Sequence, residues 1–168
     1  MNNKGQISNY FAGITLIFLI SISIILGALL LDGTLDAFEN AGYLTGKAKE
    51  AGDGFWTSVV IMDYLIVLIV VAVIVATGVT SFKINSPPIF FIVTLIVGSF
   101  LGFGSWILNY IFTEWAGNDA FTSVIGLFPR TVIIGTNLHW IALTLIVVGS
   151  ITLYAKKERP GEGGGFVE

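Results

Sequence analysis

Cysteine is absent from the 168-residue sequence, histidine occurs once, and charged residues are scarce. Without cysteine the chain has no disulfide bond, thiolate metal site or cysteine nucleophile. The single histidine, His139, leaves too few side chains for a zinc site of the usual histidine and cysteine ligands. Charged residues make up 11% of the chain, whereas soluble domains carry roughly 25%. The net charge is −3 and there is no basic patch, so we expect no nucleic-acid partner.

Sequence motifs for chemistry are missing as well. No nucleophile, base and acid form a recognisable catalytic set, and the chain has no phosphate-binding loop or dinucleotide fingerprint. Glu114 and Asp119 are two carboxylates in one loop, an ordinary arrangement on a protein surface. We therefore predict a protein that is not an enzyme and has no catalytic, cofactor-binding or metal-binding residues.

The chain does have four long runs without a charged residue. They cover residues 7–31, 64–82, 84–113 and 131–155. A hydrocarbon core about 30 Å thick needs about 20 apolar residues at 1.5 Å each, and the alternation typical of a membrane β-barrel is missing. The sequence predicts an all-α integral membrane protein, with residues 1–168 as one domain that forms an antiparallel bundle of four transmembrane helices. Their approximate bounds are 7–31, 57–82, 87–112 and 131–155.

The segments that connect and follow the predicted helices are polar or rich in glycine. Residues 32–54 form an outer loop, which is either a short amphipathic helix on the membrane surface or a flexible segment. Pro87 and Pro88 suit the first turn of the third helix. The apolar stretch 121–128 is expected to dip into the membrane interface or to pack on the outer helix ends. The tail, residues 156–168, is expected to be flexible.

The basic residues are divided unequally between the two sides of the predicted bundle. Three of the eight fall on the side away from the termini, and five share the side of the N-terminus: Lys4, Lys83, Lys156, Lys157 and Arg159. Because Lys and Arg accumulate in cytoplasmic segments, this bias predicts that both termini lie inside.

Four polar residues are predicted to lie at one height in the bundle and to form an outer polar cluster: Asp63, Asn109, Asn137 and His139. At 1.5 Å per helical residue, each is about 25–31 Å from the inner boundary, close to the outer headgroups. A charge is cheaper there than at the bilayer centre, so these side chains are expected to meet water or cap helix ends. Two alternatives stay open. One is a structural pair, Asp63 with His139 or Asn109 with Asn137, and the other is a proton or ion site.

Aromatic and small residues add two further predictions. Indole rings prefer the headgroup boundary, and an interface belt is predicted from the four tryptophans: Trp56, Trp106, Trp115 and Trp140. Small residues on one helix stripe allow two backbones to approach closely. The third helix has such a stripe, a candidate packing seam formed by Gly98, Gly102 and Ser105.

Two stretches resemble known families. "KGQIS" at residues 4–8 resembles the processing site of archaeal type IV pilin-like precursors, in which cleavage between Gly5 and Gln6 would be implied, although Tyr10 stands where that family usually has a nearby glutamate. The segment 63–156, with "PPIFFI", "FP" and "NLHWIALTLIVVGSITLYAKK", resembles small multi-spanning membrane proteins of archaeal viruses and mobile elements. That resemblance implies a membrane component of a virion and assigns no functional residue.

Composition and resemblance together predict a non-enzymatic structural membrane protein, such as a component of a viral envelope or virion membrane. Its expected partners are the lipid bilayer and either further copies of itself or another membrane or capsid protein. A holin-like pore and a small subunit of a larger membrane complex stay open as alternatives.

Overall fold

The protein was analysed as a computed structural model that describes residues 4–83 and 89–155, with side chains for 10–82 and 92–152. This part of the chain is almost entirely helical and has no β-strand. The helices are α1 (Lys4–Asn40), α2 (Lys47–Lys83), α3 (Ile89–Ala116), α4 (Thr122–Ile125), α5 (Pro129–Gly135) and α6 (Leu138–Ala155), and a short 3-10 helix (Asp119–Phe121) precedes α4. The tail at 156–168 and the proline pair at 87 and 88 lie outside the described residues.

The first two helices form a long hairpin in place of the predicted outer loop 32–54. Both helices continue through most of that segment, and the turn between them covers only residues 41–46. Gly42 and Gly46 have φ angles of 75° and 54°, a backbone region in which residues with a Cβ are strained. Across the tip, Lys49 pairs with Glu39. Most of the segment is therefore helical, as an extension of two long helices and not as a short separate helix or a flexible segment. Contacts across the hairpin, such as Gly52 with Leu35, offset the low helix propensity of its glycines.

The fourth apolar run is not one helix, as predicted for 131–155, but two. Helices α5 and α6 meet at an angle of 66°. The Thr136 hydroxyl donates to the carbonyl of Val132 at 2.8 Å, and the Asn137 amide donates to that of Ile133 at 2.8 Å. The Val132 carbonyl also accepts the backbone N–H of Thr136 at 2.9 Å, whereas the backbone N–H of Asn137 donates to Ile134 at 3.2 Å. The Asn137 side chain therefore takes the place of its own N–H at the Ile133 carbonyl, and the chain changes direction without leaving that carbonyl unpaired.

Three of the helices, α1, α2 and α3, are long and apolar enough to cross a membrane, and α5 with α6 makes a fourth if the bent pair counts as one span. Helix α1 packs closely against α2, and α3 packs closely against α6. A Cβ on Gly13 of α1 would lie 2.9 Å from Val73 of α2, and one on Gly98 of α3 would lie 3.0 Å from Ile146 of α6. The stretch 121–128, predicted to dip into the interface or pack on helix ends, packs on α1 and α3.

Two groups of buried apolar side chains form the core. The end group lies near the start of α1 and contains Tyr10, Ile14, Ala142 and Leu145. The cap group lies where the segment 119–128 covers α1 and α3, and contains Ile25, Ala28, Phe112, Phe121, Val124 and Phe128. The connection between α3 and α5 is thus a folded cap, which places the start of α5 beside α2.

Candidate functional site

A buried carboxylate lies where α2 meets the start of α5. The Asp63 side chain is 1% exposed. Its Oδ1 accepts a hydrogen bond from the backbone N–H of Thr131 at 2.7 Å, and its Oδ2 accepts one from the backbone N–H of Arg130 at 3.2 Å. The Arg130 guanidinium donates a third hydrogen bond to Oδ2 at 3.2 Å. Both carboxylate oxygens of Asp63 are therefore engaged.

The local sequence explains why α5 accepts a carboxylate from another helix. Pro129 is at the first position of α5 and has no N–H, and Phe128 before it provides no side-chain cap. The next two amides, of Arg130 and Thr131, would otherwise lack partners at the helix start. An anion is also favoured there by the positive end of the helix dipole. Asp63 caps α5 from α2, a role that Ser, Thr, Asp or Asn usually fills within the same helix.

Arg130 links this contact to the molecular surface. Its guanidinium carbon is 3.7 Å from the centroid of the Tyr64 ring, and its side chain is 41% exposed. A guanidinium over a tyrosine face gains a cation–π attraction. The group of Asp63, Arg130 and Tyr64, called the α2–α5 tether below, combines a buried anion with a half-solvated cation. It holds the cap segment and α5 against α2.

The other members of the predicted outer polar cluster do not join Asp63. Asn137 bonds to the carbonyl of Ile133 and to the Thr136 hydroxyl, 3.3 Å away, so it does cap a helix end. Within residues 10–82 and 92–152, Asn109 Oδ1 and His139 Nδ1 are buried without a hydrogen-bond partner. The alternative pairs, Asp63 with His139 and Asn109 with Asn137, are absent from these described side chains.

The four predicted belt tryptophans divide into two pairs. Trp106 and Trp140 are 55% and 61% exposed. Trp56 and Trp115 instead pack against the cap group, and the Trp115 ring centroid is 4.1 Å from that of Phe121. Trp56 and Trp115 therefore have part of their surface in contacts within the protein, and the interface belt stays a prediction.

The predicted packing seam on α3 is packed at both ends and open in the middle. Gly98 lies against Ile146 of α6, and Ser105 is buried, with its hydroxyl donating to the carbonyl of Gly102 at 2.8 Å. At Gly102, no atom lies within 4 Å of the place a Cβ would take. Gly102 faces a groove of about 480 Å³, called the α3–α6 groove below, whose lining also includes Trp106 and His139.

Two further grooves are almost entirely apolar. One of about 300 Å³ lies between α2 and the α5–α6 bend, beside Arg130 and Asn137. Another of about 400 Å³ lies between α1 and α2 and includes Phe55 and Met62. His139 and Asn137 therefore line different grooves, on different sides of α6. In the part of the chain that the structure describes, no three Asp, Glu or His side chains come together as a metal site would require.

Sequence reasoning missed Arg130, Thr131 and Tyr64 as partners of Asp63. A signal was available in "FPRT", because a proline at a helix start leaves the next amides free to bind an anion. The sequence did not indicate which carboxylate would reach them. Comparison with known proteins adds no assignment, since no family model, curated protein or solved structure matches the chain.

Proposed function

We propose that the protein is a non-enzymatic integral membrane protein with a structural role, such as a component of a viral envelope or virion membrane. Two observations together support the proposal. The long helices are apolar enough to cross a membrane, and both carboxylate oxygens of the buried Asp63 are bonded within the protein. A structural role requires a bundle that is stable in lipid, and the α2–α5 tether provides such a fixed connection.

The surface of the long helices supports insertion in lipid. Large apolar side chains on α2 and α3 face outward: Leu68 is 64% exposed, Phe100 is 74% exposed and Phe103 is 63% exposed. Soluble monomers rarely expose continuous apolar surface on this scale. In a bilayer the same side chains would contact lipid tails, and all backbone groups of a helix are satisfied within it.

The proposed topology is an antiparallel bundle of four spans, α1, α2, α3 and α6, with both termini inside. Helix α6 has 18 residues, or about 27 Å at 1.5 Å per residue, close to the about 30 Å of a hydrocarbon core. The 66° bend then falls at the boundary away from the termini, and α5 lies across that end of the bundle. This arrangement allows the start of α5 to reach Asp63 on α2.

A conducting pore, the second candidate, has weaker support. Ion and proton paths use charged side chains near the bilayer centre. Between residues 64 and 155, the stretches 64–82, 84–113 and 131–155 contain no acidic or basic side chain except His139. Asp63 is engaged by Arg130 and Thr131, so a path through it would first have to break the tether.

Dye release from liposomes distinguishes the structural role from the pore. Purified protein reconstituted at a low protein-to-lipid ratio is expected to leave an encapsulated dye inside the vesicles, because the helices lack a continuous polar stripe. A pore-forming peptide in parallel vesicles provides the positive control. Rapid release with this protein would refute the structural proposal, and recovery of a stoichiometric partner from mild detergent would favour a subunit of a larger complex.

Single-cysteine labelling tests the topology, because the natural chain has no cysteine and gives no background. Tyr43 is 75% exposed at the hairpin turn, so a Tyr43→Cys variant should react with an impermeant maleimide on intact cells. A Glu162→Cys variant in the tail should react only after permeabilisation. Labelling of both variants on intact cells would place residues 43 and 162 on the same side, which contradicts the three crossings between them in the proposed topology.

A further inference from the structure

The α3–α6 groove is open above a glycine, which has no side chain to fill it. Gly98 and Gly102 lie one turn apart on α3 and both line the groove, but Ile146 of α6 packs on Gly98. Nothing lies within 4 Å of a Cβ position at Gly102, so the space above this residue is open. The Ser99 hydroxyl, also in the lining, already donates to the carbonyl of Leu95 at 2.9 Å. Over most of its length the groove offers an apolar surface without a free hydrogen-bonding group.

The groove runs along the helices for about half of a membrane. On α3 its lining extends from Leu95 to Trp106, which is about 16 Å at 1.5 Å per residue, against about 15 Å for half of a 30 Å hydrocarbon core. Trp106 is about 25 Å and His139 about 24 Å from the ends of their helices at Ile89 and Ala155. In the proposed topology, this places both residues about 5 Å below the headgroup boundary of the leaflet away from the termini.

The headgroup end of the groove carries its polar atoms. Trp106 has an indole N–H and is 55% exposed. The Nδ1 of His139 is buried without a hydrogen-bond partner. The other ring nitrogen, Nε2, is not buried, and His139 lines the groove. An indole N–H and an imidazole N–H or imidazolium both donate hydrogen bonds. Such donors complement the negative charge of a phosphate, and hydrogen bonds to a charged acceptor are the stronger kind.

The length and lining of the groove favour one kind of occupant. A length of about 16 Å and a volume of about 480 Å³ suit one extended hydrocarbon chain. A helix of a second copy would instead lie across the open side of the groove, and a change of oligomeric state would reveal it. A polar metabolite would leave its hydrogen-bonding groups unpaired along the apolar floor.

We propose that the α3–α6 groove binds one phospholipid of that leaflet, with a hydrocarbon chain along Gly102 and the phosphate beside His139 and Trp106. The chain packs against α3 and α6 where Gly102 leaves space, and the phosphate accepts hydrogen bonds from the two rings. This site rests on the proposed membrane topology, and it gives the protein a defined lipid partner in place of a merely apolar surface.

Gly102→Leu is the decisive variant, because its side chain enters the groove without meeting a protein atom at Cβ. Gly104→Leu is the matched control on the same helix, since Gly104 also has nothing within 4 Å and does not line the groove. Native mass spectrometry of full-length protein, delipidated in detergent and titrated with phosphatidylglycerol, should show one retained lipid per wild-type chain. Retention should fall about tenfold in Gly102→Leu, because packing along the hydrocarbon chain is lost, and stay unchanged in Gly104→Leu.

Two further measurements complete the test. Val147→Phe fills the groove from the α6 side and should reduce lipid retention as Gly102→Leu does. Agreement between the two variants would show that the loss does not come from misfolding of one of them. Diacylglycerol with the same chains but no phosphate should be retained less well by the wild type, and His139→Leu should remove that preference. Equal retention in wild type and Gly102→Leu would overturn the proposal, as would a change of oligomeric state in Gly102→Leu without loss of lipid. If the labelling topology holds while retention is unchanged, the lipid site alone is refuted.

Discussion

Replacing Asp63 with alanine is expected to destabilise the protein by about 2–4 kcal/mol. The substitution removes the acceptor for two amides at the start of α5, and Thr131, whose amide donates at 2.7 Å, is buried. It also leaves Arg130 without its carboxylate, at a smaller cost because that side chain is 41% exposed and can turn to water. The measurement is reversible unfolding in detergent by a denaturant titration, followed by circular dichroism.

Two comparisons make the Asp63 result specific. Asp53→Ala removes the same side chain from an exposed position on the same helix and should change stability by less than about 0.5 kcal/mol. Asp63→Asn should fall between wild type and alanine, because the amide oxygen can still accept one of the two N–H groups. If Asp63→Ala unfolded at the same denaturant concentration as Asp53→Ala, the tether would not contribute to stability.

Replacing Gly149 with alanine is expected to destabilise the protein by about 3 kcal/mol through overpacking. The new Cβ would overlap the Tyr10 hydroxyl and lie 2.7 Å from Cζ, so either the Tyr10 ring or a helix would have to move. Tyr10 is 2% exposed, and its hydroxyl is 3.3 Å from that of Ser81 on α2. The ring is therefore confined between α2 and α6, and the clash would separate α1 from α6. A thermal melt of the purified variant measures the loss.

Gly78→Ala is the matched control for Gly149→Ala. Its Cβ would meet Val148 of α6 at 3.5 Å, an ordinary contact, so the substitution should be neutral or slightly stabilising through its higher helix propensity. In the Gly149→Ala background, Tyr10→Leu should restore part of the stability because the ring that clashes is gone. Failure of this double variant to recover any stability would argue that the Tyr10 contact is not the cause.

The sequence indicates an all-helical fold with four apolar runs, but it does not indicate where each helix begins and ends. Residues 32–54 contain glycines and charges that are typical of a loop in isolation, yet Gly52 packs against Leu35 and lets two helices continue side by side. Residues 131–155 are apolar throughout, so hydropathy alone does not reveal the bend at Thr136 and Asn137. At the bend the Asn137 side chain bonds to the Ile133 carbonyl in place of the Asn137 N–H, which is local geometry and not composition.

The candidate site was accessible from sequence only in part. At 1.5 Å per helical residue, the sequence predicts that Asp63 lies near the outer end of the bundle, where it either meets water or caps a helix end. Its partners, Arg130 and Thr131, are 67 and 68 residues away along the chain. The contact exists because the segment 119–128 folds over α1 and α3 and brings the start of α5 to α2. Such a long-range pairing follows from packing and cannot be read from the spacing of residues.

The length of the α1–α2 hairpin has a practical consequence. Each helix has 37 residues, or about 55 Å, whereas a bilayer with its headgroups is about 40–45 Å thick. In the proposed topology, the turn at Gly42 would then stand roughly 10–15 Å clear of the lipid. A short epitope inserted at this turn would be reachable by antibodies on intact particles or cells, and it offers a handle for purifying the protein together with whatever it assembles with.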